Sequence, residues 1–316
     1  MNYEAFLDAK RHKPSKYGIA PKFMPSGLFD YQEYVTRYAI EKGRCAVFLD
    51  TGLGKTVIEL TVAQNYVEHL NKPVLILTPL AVAFQFIKEA AKFGIGDISY
   101  SKDGKFTTKI VVCNYERLDK FNPDDFGCVI LDESSILKNF DGATKAAVTT
   151  FMKRVKYRYL FTATPSPNDF IELGTSSEAL GYMGYMDMLG KFFINFEDTI
   201  SPMNIGTKWI LKGHARTAFF EWVSSWSVSM RKPSDLGFDD SRHILPELIT
   251  KHHQVKNTEN LVVNGQVRLF NQIARTMPEV LSEQRLTVNG RCERAVELAS
   301  GHDVSVYWCN RNEEGN

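Results

Sequence analysis

A glycine-rich stretch, FLDTGLGKT at residues 48–56, has the residue types that hold the phosphates of a nucleotide. Gly52 and Gly54 allow backbone N–H groups to turn toward an anion, and a helix beginning at Lys55 adds the partial positive charge of its N-terminus. In such a loop the lysine reaches the β- and γ-phosphates, and Thr56 offers its hydroxyl to Mg²⁺. A leucine stands where the general pattern has its first glycine, so a plain turn between a strand and a helix remains the alternative.

Two adjacent carboxylates follow an apolar run in VILDESS, residues 129–135. A carboxylate pair at the end of a buried strand is costly to desolvate unless it is exposed, paired or bound to metal. We therefore interpret Asp132 as holding Mg²⁺ through water, and Glu133 as the base that deprotonates the water attacking the γ-phosphate. The competing interpretation is the start of a helix, where Asp and Glu are favoured in any case.

A third segment, FTATPSPND at residues 161–169, places two hydroxyl side chains at the end of another apolar run. Thr162 and Thr164 could hydrogen-bond the carboxylate loop and transmit its state to the rest of the protein. Taken alone, the segment is an ordinary passage from a strand to a turn.

A fourth segment, LFDYQEYV at residues 28–35, lies upstream of the glycine-rich loop. The amide of Gln32 presents a donor and an acceptor, which complement the N6 and N7 edge of adenine. Tyr31 or Phe29 could flank the base. A glutamine by itself is usually a surface residue.

The elements that must position these residues form an alternating pattern between residues 45 and 162. Short apolar runs (CAVFL, VLILTP, KIVVCN, CVILD and YRYLFTAT) alternate with amphipathic segments at residues 81–93 and 144–155. This order predicts a parallel α/β sheet covered by helices on both faces. Because the chemistry of such sheets gathers at the carboxyl ends of the strands, we expect the polar residues after each run to meet there.

The rest of the chain has a different pattern. Residues 171–246 predict a helical, aromatic-rich insertion, in which Phe219, Trp222 and Trp226 share one helical face and form either core or a surface that stacks on bases. Beyond it, strands at residues 249–255 and 302–310 with two helical segments between them predict the beginning of a second α/β unit. The basic residues around 153–158 flank a predicted helix end and are interpreted as structural. The predicted domains are 1–26 (N-terminal extension), 27–170 (nucleotide-binding lobe), 171–246 (insertion and crossing segment) and 247–316 (incomplete second lobe).

Composition limits the classes of protein to consider. The chain has 316 residues, of which 44% are hydrophobic and 24% are charged, and a net charge of +1. A nucleic acid would therefore be held by a local patch and not by overall charge. Five scattered cysteines without a CxxC pair argue against a disulfide framework and a thiolate zinc site. With no apolar segment of membrane-spanning length, we expect a cytoplasmic protein of a bacterium or a phage-infected cell.

In their order these motifs resemble the motor core of helicase superfamily two, and within it the Swi/Snf-type DNA translocases in a compact bacterial or phage form. LFDYQEYV resembles the glutamine signature of that family, DESSILKN its DEAH box, and TATPSPN the motif that follows the box. The run SMRKPSDLGFDDSRHILPEL resembles the crossing between the two lobes of the motor. VYWCNRNEE resembles the first strand of the second lobe.

The resemblance implies a RecA-like fold that hydrolyses ATP with Mg²⁺ and moves along DNA, duplex more than single-stranded. It assigns catalysis to Lys55, Asp132 and Glu133, and coupling to Ser135, Thr162 and Thr164. It assigns nucleotide or Mg²⁺ binding to Tyr31, Gln32, Thr51, Gly52, Leu53, Gly54, Lys55, Thr56 and Asp132, with Thr56 and Asp132 on the metal. It assigns contacts with the nucleic-acid backbone to Thr78, Pro79, Asn114, Tyr115, Lys138, Asn139 and Asn168, which fix position without reading sequence.

Two departures qualify the resemblance. Ser135 stands where the family usually has His or Asp, although its hydroxyl can still hydrogen-bond Thr162 or Thr164. The later motifs of the second lobe, including the arginine finger, are expected beyond Glu314. Such an arginine is worth roughly 10³ to 10⁵ in rate, so we expect weak or no hydrolysis by this chain alone, unless more chain or a partner completes it. A kinase or other P-loop enzyme, and a non-catalytic DNA-binding or scaffold protein, remain the rival functions.

Overall fold

The computed structural model describes residues 17–138, 142–195, 209–255, 262–263, 266–267 and 276–309, together with Glu314. The chain divides into two compact units, one ending at Ile244 and the other beginning at Leu245. The described helices are α1 (Asp30–Lys42), α2 (Lys55–Leu70), α3 (Ala83–Lys92), α4 (Ala143–Arg154), α5 (Glu172–Leu180), α6 (Tyr185–Phe192), α7 (Arg216–Trp226), α8 (Met277–Leu286) and α9 (Val288–Ala299). No helix among these residues is both long enough and apolar enough to cross a bilayer.

A seven-stranded sheet forms the centre of the first unit, and all its strand pairs are parallel. Its strands are β1 (Arg44–Leu49), β2 (Val74–Thr78), β3 (Ile98–Tyr100), β4 (Ile110–Asn114), β5 (Cys128–Leu131), β6 (Tyr157–Thr162) and β9 (Ser227–Met230). A separate hairpin in the same unit consists of β7 (Phe193–Asn195) and β8 (Trp209–Leu211). The order of the strands in the sheet is β3-β4-β2-β5-β6-β1-β9. The five apolar runs are the five central strands, so the predicted parallel sheet is confirmed.

The sheet separates two apolar layers, because successive residues of a strand face opposite sides. Val47 and Leu49 of β1 pack in the layer that contains α1, α2 and α3. Ala46 and Phe48 pack in the layer that contains α4 to α7. Residues of β2, β4 and β5 are fully buried, which is why these runs are apolar at nearly every position.

The sequence analysis did not predict the two edge strands, β3 and β9. β3 has only three residues, each half-buried, and β9 follows directly after α7. Met230 of β9 lies opposite Leu49 of β1 in a parallel register. The described part of residues 171–246 contains three α-helices, and it also supplies an edge strand of the main sheet and a hairpin that the sequence analysis did not include. Pairing with β1 decides the conformation of β9, and a local pattern does not carry that information.

The aromatic face of α7 is core, as one of the two interpretations held. Phe219 and Trp226 are fully buried and Trp222 is 2% exposed. Phe219 and Trp222 lie with their ring centroids 5.7 Å apart, and Trp222 and Trp226 lie 5.4 Å apart. These rings have no exposed face on which a base could stack.

The second unit contains the two predicted helical segments, as α8 and α9, and a short ribbon of β10 (Val262–Val263) and β11 (Gln266–Val267). The strands predicted at residues 249–255 and 302–310 are absent from the part of the chain that the structure describes, which stops short of residue 310. Val304 and Trp308 are 84% and 94% exposed. A strand needs a hydrogen-bonded neighbour, and here these segments have none.

Candidate nucleotide-binding site

The glycine-rich loop joins β1 to α2, as the sequence predicts. Gly52 and Gly54 have φ angles of +84° and +74°, a left-handed conformation that favours glycine. Gly54 has a second constraint, because a Cβ atom there would lie 2.4 Å from Nε2 of Gln32. A side chain at position 54 would therefore have to displace the Gln32 amide that holds the loop.

Lys55 lies at the first position of α2 and folds back over the loop. Its Nζ donates to the carbonyl oxygens of Leu49 at 3.0 Å and Asp50 at 3.3 Å. The loop is also tied to the edge strand, since the N–H of Asp50 donates to the carbonyl of Met230 at 3.1 Å. Thr56 follows in the first turn of α2 and is half-buried. The ammonium and the hydroxyl that could bind phosphate and Mg²⁺ thus belong to the first two residues of α2.

Asp132 follows β5 and is fixed by residues of the two neighbouring loops. Its Oδ2 accepts from the hydroxyl of Thr78 at 2.8 Å, and its carbonyl accepts from the hydroxyl of Tyr115 at 2.6 Å. Burial raises the pKa of Asp132 above its usual range, and the hydrogen bond from Thr78 opposes this shift. The carboxylate is therefore held in one orientation at the carboxyl edge of the sheet.

The same two hydrogen bonds involve two residues that the motif resemblance assigned to nucleic-acid contact. Thr78 is fully buried and Tyr115 is 5% exposed. Both hydroxyls donate to Asp132, and Tyr115 also lines the cavity beside Glu133 with Pro79 and Lys138.

Glu133 lies at the centre of the predicted coupling residues. Its Oε1 accepts from the hydroxyl of Ser135 at 2.6 Å and from that of Thr162 at 2.8 Å. The hydroxyl of Thr162 in turn accepts from the N–H of Thr164 at 3.0 Å. The serine at the unusual fourth position of the box thus bonds the carboxylate of Glu133, and not Thr162 or Thr164 as the sequence analysis expected. Ser135 and Thr162 meet at the same oxygen of Glu133.

The backbone of Glu133 is strained. Its φ angle is +50°, one of two positive values among the described non-glycine residues. Such a conformation costs of order 1–3 kcal/mol and is found where the surrounding structure requires it. A short 3₁₀ helix, Ser134–Lys138, follows Glu133. The acidic residues therefore do precede a helix, as the competing interpretation held. A simple helix start would not require the strain.

A further carboxyl group, not predicted from the sequence, lies behind this site. Glu59 of α2 is fully buried, and neither carboxyl oxygen has a hydrogen-bond partner. Burial raises the pKa of Glu59 well above its usual range, the charge of Asp132 adds to the shift, and Lys55 opposes it. The four-residue spacing from Lys55 to Glu59 was the available signal, since it places both side chains on one face of the helix.

The predicted adenine-binding residues hold the phosphate loop in this structure. Oε1 of Gln32 accepts from the N–H of Phe29 at 3.0 Å, and its Nε2 donates to the carbonyl of Leu53 at 3.1 Å. The hydroxyl of Tyr31 lies 3.3 Å from the same carbonyl and 3.0 Å from Nε2 of His243. Gln32 is thus a buried residue that fixes the loop, and not the surface residue of the alternative interpretation.

A cavity of about 270 Å³ lies next to these residues. Its walls include the stacked rings of Phe29 and Tyr31, 5.7 Å apart, with Arg242 and His243 from the crossing segment. The guanidinium of Arg242 lies 5.6 Å from the Phe29 ring centroid. Sequence reasoning missed Arg242 and His243, because about 200 residues separate them from the glutamine motif.

The remaining predicted nucleic-acid contacts are dispersed. Asn114 is buried, and its Oδ1 accepts from the hydroxyl of Tyr100 at 2.9 Å. Asn168 is exposed and donates to Glu172 at 2.8 Å. Pro79 and Lys138 line a cavity of about 300 Å³ beside Glu133. Asn139 lies outside the described residues.

Comparisons with known proteins agree with the fold. Residues 29–172 match the family model of the DEAD/DEAH box helicases. The DNA annealing helicase and endonuclease ZRANB3 of Bos taurus is 28% identical over 178 residues, which are 51% of this chain and 16% of that protein. The uncharacterized ATP-dependent helicase YqhH of Bacillus subtilis is 30% identical over 166 residues, 49% of this chain and 29% of that protein.

A solved structure shares the fold. The Sulfolobus solfataricus SWI2/SNF2 ATPase core in complex with dsDNA aligns with a TM-score of 0.55 at 20% identity, over 70% of this chain and 48% of that chain. The chain spans less than a third of the length of the two curated relatives. The shared fold is the RecA-like parallel sheet with flanking helices.

Proposed function

We propose that the chain is a member of helicase superfamily two, in its Swi/Snf-type branch, and that it couples Mg²⁺-dependent ATP hydrolysis to movement along duplex DNA. One observation carries the proposal. The phosphate loop, the Asp132–Glu133 pair and the Thr162–Thr164 pair follow β1, β5 and β6, which are neighbours in the sheet. A kinase or another P-loop enzyme needs the phosphate loop and the carboxylate pair, but it does not need Thr162 and Thr164 linked to Glu133.

The donors at this edge of the sheet fit Mg²⁺. Thr56 and Asp132 offer a hydroxyl and a carboxylate oxygen, the hard ligands that this ion prefers. Among the described residues, no group of three or more His, Cys, Asp or Glu side chains could hold a metal. The ion would therefore rely on nucleotide phosphates and water for its other ligands, and it would neutralise the charge of those phosphates.

The roles of the protein residues follow from their contacts. Lys55 exchanges the carbonyls of Leu49 and Asp50 for phosphate oxygens, which are stronger acceptors for an ammonium. Glu133 accepts a proton from the attacking water while Ser135 and Thr162 hold its carboxylate in position. Because Thr162 is also bonded to the N–H of Thr164, a change in the charge of Glu133 alters the end of β6.

DNA is proposed as the partner because the relative ZRANB3 is named a DNA annealing helicase and the structure with the shared fold contains dsDNA. The exposed candidates for backbone contact are Lys138 and Asn168, and Pro79 is half-buried. We also propose that residues 247–316 begin a second lobe, and that the protein acts in the cytoplasm of a bacterial or phage-infected cell.

Hydrolysis by this chain alone is proposed to be slow. The described walls of the cavity beside Glu133 contain Lys138 but no arginine. An arginine from a second lobe or a partner protein would supply the missing transition-state charge, an effect of about 10³ to 10⁵ in rate.

ATP hydrolysis and nucleotide affinity of the chain, measured without DNA, with duplex DNA and with single-stranded DNA, test the proposal. Lys55→Ala should abolish binding of Mg·ATP. Duplex DNA should raise any hydrolysis more than single-stranded DNA does, and nucleotide should change the affinity for DNA. DNA binding that is indifferent to ATP and to Lys55→Ala would instead indicate a non-catalytic DNA-binding protein.

A further inference from the structure

Large apolar side chains are exposed where the chain passes from β2 into α3, at the carboxyl end of the sheet. Phe84 is the second residue of α3 and is 58% exposed, and Leu80, just before this helix, is 56% exposed. The buried residues of α3 are Ala83, Phe86 and Ala90. Phe84 therefore lies on the solvent face of the helix, where polar residues are normally found, and its ring adds little to the core.

Tyr100 holds the ring of Phe84 in place. The two ring centroids lie 5.3 Å apart, and Tyr100 is the half-buried last residue of the edge strand β3. The hydroxyl of Tyr100 donates to Oδ1 of Asn114, the last residue of the neighbouring strand β4, at 2.9 Å. More than half of the Phe84 side chain stays exposed despite its contact with Tyr100. The aromatic pair is thus fixed to the sheet, while Phe84 remains accessible to a ligand.

Cations lie on the elements next to these rings. Lys88 is exposed one turn after Phe84 on α3, and Arg117 is exposed in the short 3₁₀ helix that follows β4. Within the part of the chain that the structure describes, neither forms an ion pair, whereas Lys92 pairs with Glu89 on the same α3 at 2.6 Å. Positive charge beside an accessible aromatic ring suits a ligand that is both anionic and flat.

We propose that Phe84 stacks on an unpaired base of the DNA, while Lys88 and Arg117 contact the flanking phosphates. This inference rests on the proposed function, because it takes DNA as the partner. The bases of a duplex are stacked on one another, so their flat faces are available only where a strand is unpaired. Every base has such a face, so stacking on an aromatic ring tolerates any sequence. The surface therefore binds single-stranded DNA without reading its sequence.

Three ligands test this role by fluorescence anisotropy: oligothymidylate, an abasic oligonucleotide of the same length, and blunt duplex DNA. Phe84→Ala should weaken the binding of oligothymidylate about 10-fold, and Phe84→Leu nearly as much, because both variants lack the ring. Phe84→Trp should keep the wild-type affinity. Binding of the abasic strand and of the duplex should stay within about twofold of wild type in all three variants, because neither ligand offers unpaired bases.

Tyr34→Ala is the matched control. Tyr34 is 48% exposed and lies in a similar aromatic pair, with its ring centroid 5.7 Å from that of Phe238, but it belongs to α1. This variant should change none of the three affinities. Lys88→Ala should weaken oligothymidylate and the abasic strand equally. It should also reduce the slope of log affinity against log salt by about 0.7, the value for one phosphate contact on a single strand.

The outcomes separate the inference from the proposed function. Equal affinity of the wild-type chain for oligothymidylate and the abasic strand would overturn the inference and leave duplex DNA as the partner. Unchanged binding of oligothymidylate by Phe84→Ala would overturn it as well. A wild-type chain that binds none of the three ligands would overturn the proposed DNA partner, and the inference with it. Because Phe84 is exposed, its variants should unfold at the wild-type temperature, and thermal unfolding without ligands verifies this.

Discussion

The two ends of the central sheet treat buried charge in opposite ways. At the amino end, Arg158 of β6 is 6% exposed and donates to the carbonyls of Val155 at 2.7 Å, Lys153 at 2.8 Å and Ala179 at 3.3 Å. At the carboxyl end, Glu59 has no donor and Glu133 has a strained backbone. Arg158 and Glu59 are similarly buried, but only Arg158 receives hydrogen-bond partners for its polar atoms. Cost concentrated at one edge indicates where ligands are expected to bind.

The contacts of Arg158 explain why that end is purely structural. Its guanidinium closes the end of α4, in agreement with the structural interpretation of the basic residues around 153–158. Burial lowers the pKa of Arg158 to about 10, and the nearby charge of Arg44 adds to the shift. The guanidinium stays protonated at neutral pH, so its hydrogen bonds do not change with pH in that range.

The largest expected effect is on catalysis at the strained residue. Glu133→Gln removes the proposed base but keeps the shape of the side chain, so the rate of ATP hydrolysis should fall about 10²- to 10⁴-fold. Nucleotide affinity should persist. Glu116→Gln is the matched control, because Glu116 lines the same cavity but bonds Asn114. Equal rates of ATP hydrolysis for wild type and Glu133→Gln would contradict the proposed role of Glu133 as the catalytic base.

The next effect is on stability at the opposite end. Arg158→Met leaves three buried carbonyls without a donor and should lower the free energy of unfolding by about 3 kcal/mol or more. Denaturant unfolding of the chain measures it. Arg154→Met removes an exposed guanidinium that pairs with Asp124, and should cost less than about 1 kcal/mol. If both variants were equally stable, the satisfied bonds of Arg158 would not matter.

A smaller effect on kcat distinguishes the two hydroxyl groups that donate to Glu133, those of Ser135 and Thr162. Thr162→Val removes one donor to the carboxylate and the acceptor of the Thr164 N–H, so kcat should fall about tenfold, equivalent to about 1.4 kcal/mol. Ser135→Ala removes one donor only and should have a lesser effect. The ratio of the two kcat values at saturating ATP measures the coupling. An equal loss in both would place Thr164 outside the network.

The smallest effect shows that burial by itself does not distinguish the ends. Burial raises the thiol pKa to about 12 both for Cys45, near the amino end, and for Cys113, near the carboxyl end. Because a raised folded pKa favours the protonated thiol, its stabilising contribution is complete below the unfolded value of 9.0 and is lost as pH rises toward 12.

Stability should therefore fall between pH 9 and pH 10 by about 1 kcal/mol for each such thiol. Cys45→Ala and Cys113→Ala should each reduce this slope by the same amount, measured as the change in unfolding free energy with pH. A reduced slope in only one variant would mean that the two ends also differ in how they bury neutral groups.

The sequence alone determined the central part of this protein. Five nearly continuous apolar runs specified five buried parallel strands, because strands covered on both faces hold few polar residues. The order of Gln32, the phosphate loop, Asp132–Glu133 and Thr162–Thr164 indicated the family resemblance, and each of the last three motifs follows a strand whose end is known from its apolar run. The helical spacing of the aromatic residues also predicted the aromatic face of α7.

Tertiary structure decided everything that depends on a distant neighbour. β9 is a strand because it pairs with β1, whereas residues 249–255 and 302–309 have similar apolar content but no paired neighbour. Thr78 and Tyr115 donate to Asp132, a contact that the motif resemblance did not indicate. The complete burial of Glu59 was visible only in the folded structure. Hydrogen-bond satisfaction is a property of packed surroundings, and residues distant in the sequence supply those surroundings.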